Sequence, residues 1–103
     1  MGTEQILLES FLKLISRFKT EDLHKAINEN VDLSILAQQH AGDILRIARI
    51  FAKIMGVNPD DLSSANVLIN LQDKRPDLYR EIVLNPKGRP WLEWNLGKFR
   101  RML

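Results

Sequence analysis

Apolar residues in this 103-residue chain recur every three or four positions, the spacing of one helical face. In "TEQILLESFLKLISRF", residues Leu7, Leu8, Phe11, Leu14, Ile15 and Phe18 share one side of a wheel turned about 100° per residue, with Ile6 and Leu12 at its margins. Glu9 and Lys13 face outward in the favourable order, so the stretch predicts an amphipathic first helix. Thr20, followed by Glu21 and Asp22, predicts the capped start of a second, short helix that runs to about Asn28 and buries Leu23, Ala26 and Ile27.

The widest apolar arc lies between residues 33 and 55. Asp32 or Ser34 can cap this segment. Leu33, Leu36, Ala37, Ala41, Ile44, Ile47, Ala48, Phe51 and Met55 form its face, with Leu45, Ile50, Ala52 and Ile54 at the margins. Such an arc exceeds the stripe of a helix lying on a surface, so the pattern predicts a long central helix touched by several neighbours. Gly42 can bend it, with Asp43 capping a fresh helix, and Gly56 ends it.

Asn58 as cap, Pro59 at the first helical position and Asp60 and Asp61 in the first turn predict a further helix that carries Leu62, Ala65, Leu68, Ile69 and Leu71 to about Lys74. Pro76 opens another, with Leu78, Tyr79, Ile82 and Val83. "NPKGRP" reads as a turn, after which Pro90 opens the last helix. The β-branched residues follow helical rather than alternating spacing and predict no strand. The expected fold is all-α: a single domain over residues 1–103, with five or six helices around a long central helix at about 33–55. A basic C-terminal helix at about 90–103 docks on that bundle.

Composition agrees with a folded chain, since 45% of residues are hydrophobic, with sixteen Leu and ten Ile. The absence of cysteine leaves neither a disulfide framework nor a thiolate metal site, and cytoplasmic localisation is the simplest expectation. "MGTEQILLES" lacks the basic start of a signal peptide, and no stretch has the roughly 18 apolar residues of a membrane span, so no membrane association is expected.

Charge is uneven along the chain. The net charge is +2, yet residues 1–84 hold ten Lys/Arg against twelve Asp/Glu. Residues 85–103 hold Lys87, Arg89, Lys98, Arg100 and Arg101 against Glu93 alone. The tail is where an anionic partner would be held.

Enzymatic chemistry finds little purchase. His24 and His40 stand sixteen residues apart with no ligand-spaced Cys, His or carboxylate around either, and His40 falls on the apolar face of its segment. Asp60 and Asp61 are explained by a helix start. No glycine-rich phosphate loop, nucleophile elbow or dinucleotide fingerprint is present. The sequence therefore predicts no catalytic residue, no metal and no cofactor.

Two short segments resemble known interaction motifs. "QILLESFL" resembles the motif with which replication proteins dock on the sliding clamp, its elements falling on Gln5, Leu8, Phe11 and Leu12; the same apolar residues are required by the stripe of the first helix. "DLSILAQQHAGDILRIARIFAK" resembles a helix-turn-helix in the placing of Leu36, Ala37, Ile47 and Ile50, but departs from it at the turn, where Ala41 stands in place of glycine and Gly42 comes one step late. That resemblance implies a groove-facing row at Arg46, Arg49 and Lys53; the alternative is a solvated face.

In the last helix, Trp91, Leu92, Leu96, Phe99, Met102 and Leu103 fall in one arc of about 140° and predict a stripe docked on the core. Trp94 projects away from it, between Lys98 and Arg101. Either the cations stack on the indole or Trp94 packs on the preceding helix, or the three make a platform for a base or a partner, with Lys87 and Arg89 reaching in from the preceding turn. The leading expectation is a small non-enzymatic nucleic-acid-binding protein that uses Lys87, Arg89, Trp94, Lys98 and Arg101, helped by Arg46, Arg49 and Lys53. The alternative is a protein-interaction module, as a homodimer or as a subunit of a larger assembly, with Trp94 at the contact.

Overall fold

The computed structural model describes residues 3–40 and 42–103, apart from the side chains of residues 3–6, 40, 44 and 60. What the sequence predicts for Gln5, Ile6, His40, Ala41, Ile44 and Asp60 lies outside it. Among the described residues the chain forms seven α-helices and no strand: α1 Thr3–Ile15, α2 Thr20–Asn28, α3 Leu33–His40, α4 Gly42–Ile54, α5 Ser64–Lys74, α6 Pro76–Leu84 and α7 Gly88–Met102. The all-α class stands, with seven helices where five or six were expected.

The central helix is α1, not the segment at 33–55. Leu7, Leu8, Phe11, Leu12, Leu14 and Ile15 are all buried, and so is Ser10, which places buried groups around most of the helix circumference. α3, α4, α5 and the short 3-10 turn Pro59–Asp61 all pack against it. Phe11 also meets Phe99 of α7 edge to face, with ring centroids 5.3 Å apart.

Residues 33–55 form two helices with different partners rather than one. α3 lies against α7, whereas α4 lies chiefly along α1. Gly42, a weak helix former, opens α4 with Asp43 in its first turn. At the other end Gly56 takes a φ of +65°, the left-handed geometry that terminates helices.

Local capping corrects two further boundaries. Pro59 begins only a 3-10 turn, closed by Asp61 N–H to Asn58 O and Leu62 N–H to Pro59 O. That turn tucks Leu62 into the core, and α5 starts afresh at the Ser63 cap, whose hydroxyl accepts from Asn66 N–H. Likewise Thr20 does not cap α2; its hydroxyl donates to Asp77 at the start of α6, 3.0 Å away.

Asp77 also receives a two-pronged contact from Arg75, whose other N–H groups reach Ser16 O and Phe18 O at the end of α1. The Arg75 guanidinium, with help from Thr20 and the Leu78 amide, holds the Asp77 carboxyl well below the usual carboxylate range against the opposing effect of desolvation. One charged cluster thereby fastens the α1–α2 connection to the α5–α6 junction.

Candidate functional site

α7 carries most of the predicted site, and its position follows from its buried side. Trp91, Leu92, Leu96 and Phe99 enter the core, and Met102 and Leu103 pack partly buried on it, as the stripe predicts. The helix starts at Gly88 rather than Pro90, so Arg89 belongs to its first turn. Five residues at about 100° each put Arg89 some 140° from Trp94, on the other exposed edge of the helix. Lys87 stands at the head of α7, where its own amide donates to Asn85 Oδ1. The structure thus gathers Trp94, Lys98 and Arg101 on one edge and leaves Lys87 and Arg89 apart from them.

Trp94 is 39% exposed, but the cations around it are engaged. Lys98 Nζ lies 4.4 Å from the indole centroid and 2.8 Å from Asp32 Oδ2. The stack is worth about 0.5–1 kcal/mol at an exposed site. Arg101 turns back, its Nε donating to Gly97 O of the same helix. One face of the indole is therefore covered by Lys98, whose charge is matched within the chain by Asp32.

Asp32 links this cluster to α3. Its Oδ1 accepts from Ser34 N–H as a helix cap, while Oδ2 receives Lys98. Burial acts to raise the Asp32 carboxyl, but the hydrogen bonds from Lys98 and Ser34 outweigh it and hold the group below its ordinary value. A depressed folded value means stability that is fully present above the unfolded pKa of about 4 and is lost as pH falls through the folded one. Asp32→Asn, which keeps a capping oxygen but no charge for Lys98, is expected to cost about 1 kcal/mol at pH 7. The difference from wild type should shrink as pH falls below about 4 in urea titrations.

The turn before α3 is held by a residue the sequence reading passed over. Asn95 is 1% exposed on the docking side of α7. Its Oδ1 accepts from Leu33 N–H at 2.7 Å, and its Nδ2 donates to Val31 O and Trp91 O. Trp91 Nε1 donates to Val31 O as well. The signal was available, because Asn95 is the one polar residue that falls inside the apolar arc of the last helix.

α4 carries the second predicted group. Arg49 Nε donates to Met102 O at 3.0 Å and joins this basic row to the end of α7. Arg46 and Lys53 are exposed and have no polar partner among the described residues. Among the described side chains of α4, Leu45, Ala48 and Ala52 are buried. On the side facing away from α1, Ile47 is 49% exposed, Ile50 47%, Phe51 37%, Ile54 74% and Met55 57%. These five follow the i, i+3, i+4, i+7, i+8 order of a single helical face that nothing among the described residues covers.

That exposure corrects the helix-turn-helix reading, in which Ile47 and Ile50 belong to a buried skeleton. α3 and α4 follow one another as that motif requires, but these two residues point outward. The clamp-motif residues Leu8, Phe11 and Leu12 are buried in the core instead of standing on a surface. His24 has both ring nitrogens engaged, Nδ1 with Glu81 and Nε2 with Asn28, each at 3.0 Å. Among the described residues no group of three or more His, Cys, Asp or Glu is placed to hold a metal ion, and no helix is long and apolar enough to cross a membrane. Neither a protein-family model, nor a curated protein, nor a solved structure matches this chain.

Proposed function

We propose that this chain is a non-enzymatic protein-interaction module that docks through the outward face of α4. The observation that carries the reading is the uncovered stripe Ile47, Ile50, Phe51, Ile54 and Met55. Contiguous apolar area of this kind is characteristic of interaction sites, whereas single exposed aliphatic residues are ordinary. The polar groups add support from the opposite direction. Among the described residues no buried side-chain nitrogen or oxygen lacks a hydrogen-bond partner, and the two ring nitrogens of His24 are engaged by Glu81 and Asn28.

The test is photo-crosslinking in the cells that make the protein, with a photoreactive amino acid placed at position 54 or, as a control, at the exposed position 25 of α2. Protein adducts are expected from position 54 and not from 25, and Ile50→Asp should remove them. No adduct from position 54 would sink the reading.

A second reading is nucleic-acid binding, favoured by the exposed heads of Arg46 and Lys53, which have no polar partner among the described residues, and by the Arg49 contact that brings their row up to the end of α7. In that case binding to duplex DNA, single strands or RNA weakens steeply with salt, and Arg46→Glu with Lys53→Glu abolishes it. Absence of binding at about 50 mM salt would end it.

A further inference from the structure

We infer that the occupant of the α4 face is a second copy of this chain, with α4 packed antiparallel on its symmetry mate about a two-fold axis. The inference rests on the reading of α4 as a docking surface and names what docks there.

Shape supplies the first reason. Ile47, Phe51 and Met55 form one ridge at four-residue steps, and Ile50 and Ile54 form a second beside it. Two such ridges enclose a groove, and ridges at this spacing interlock with their own kind when helices cross at about −50°. The face is thus complementary to itself, as an isologous contact requires. At that crossing angle the flanking row of Arg46, Arg49 and Lys53 diverges from its counterpart in the mate instead of facing it along its length.

Area supplies the second. Large apolar side chains present roughly 200 Å² each when free. With 37–74% of each of the five open, one copy offers on the order of 500 Å². A two-fold doubles this to about 1,000 Å² from the stripe alone, the lower bound for a specific interface. A single copy leaves all of it in water.

Charge supplies the third. Asp43 continues the ridge of Ile47 toward the start of α4, while Lys53 lies near its end, and neither has a partner among the described residues. An antiparallel pair runs the Asp43 end of each helix alongside the Lys53 end of the other and opposes the two helix dipoles favourably.

The test uses the purified full chain. Sedimentation equilibrium at roughly 1–300 µM should show a monomer–dimer equilibrium with a micromolar midpoint, since an interface near the lower size bound is a weak one. Ile54→Asp, at the most exposed position of the stripe, should leave a monomer with an unchanged circular dichroism spectrum. The chain has no cysteine, so Ile50→Cys should form a disulfide-linked dimer under mild oxidation, and Gln72→Cys on the exposed side of α5 should not.

A monomer throughout the range overturns the inference, as does a dimer that neither Ile54→Asp nor the Ile50→Cys crosslink reports. The mass of the adduct from position 54 separates the two levels. An adduct of twice the chain mass supports both, adducts only with other proteins leave the docking face and remove the second copy, and no adduct removes both.

Discussion

Gly88→Ala is expected to destabilise the fold by about 3 kcal/mol or more, the upper end of what an overpacked site costs. A Cβ built on Gly88 would overlap the Ile82 carbonyl oxygen and lie 2.6 Å from its carbon and 2.8 Å from Ile82 Cα. All three are backbone atoms of α6, so no rotamer change relieves the overlap; the two helices must separate. Their closeness is imposed by the short connection through residues 85–87, where Gly88 N–H bonds to Asn85 O and Lys87 N–H to Asn85 Oδ1. The glycine is required here by the approach of a neighbouring backbone, not by a left-handed φ. In thermal unfolding the variant should melt lower by at least about 10 °C, given some 4–8 °C per kcal/mol for a domain of this size. Gly97 of the same helix is the matched control, since its Cβ would meet nothing within 4 Å. Gly97→Ala should raise stability by about 0.5–1 kcal/mol through helix propensity. Equal effects from the two substitutions would refute this account of the α6–α7 crossing.

Asn95→Ala is expected to cost about 3 kcal/mol, because it strands a buried Leu33 N–H, removes the donor to Val31 O and Trp91 O, and opens a small cavity. Against total stabilities of about 5–15 kcal/mol, that is a large fraction. Asn95→Asp should fare no better. It keeps an acceptor for Leu33 but turns the other carboxylate oxygen toward two carbonyls. Urea unfolding measures the loss, and amide exchange locates it: protection at Leu33 and Ser34 should fall before that of α5 and α6. A variant as stable as wild type would show that the turn before α3 holds itself. The same variant bears on Trp94, because Asp32 lies in that turn and anchors Lys98 over the indole.

How far these features could be read in advance differs from element to element. α6 was legible in its start at Pro76 and in the burial of Leu78 and Ile82, as the spacing requires, although Val83 of the same apolar set is exposed. The inner stripe of α7 was legible for the same reason. Asn95 was visible as a polar residue within an apolar arc, but its partners come from residues 31 and 33, more than sixty positions away, and no local pattern reports them. The gathering of Trp94, Lys98 and Arg101 followed from helical geometry. That Lys98 is matched by Asp32 did not, for the same reason of distance.

The sequence by itself determined that the chain is helical, where some helices begin and end, as at Pro76 and Gly56, and which residues of each helix are apolar, because those properties reside in spacing and capping within a few residues. Only the tertiary structure decided which apolar faces find partners. α1 and α4 both carry broad apolar arcs; α1 is enclosed by its neighbours, while α4 meets α1 with Leu45, Ala48 and Ala52 and turns Ile47, Ile50, Phe51, Ile54 and Met55 to the solvent. A broad arc records how much apolar surface a helix has to bury. Whether the chain itself buries it or leaves it for another molecule depends on the packing of elements distant in sequence.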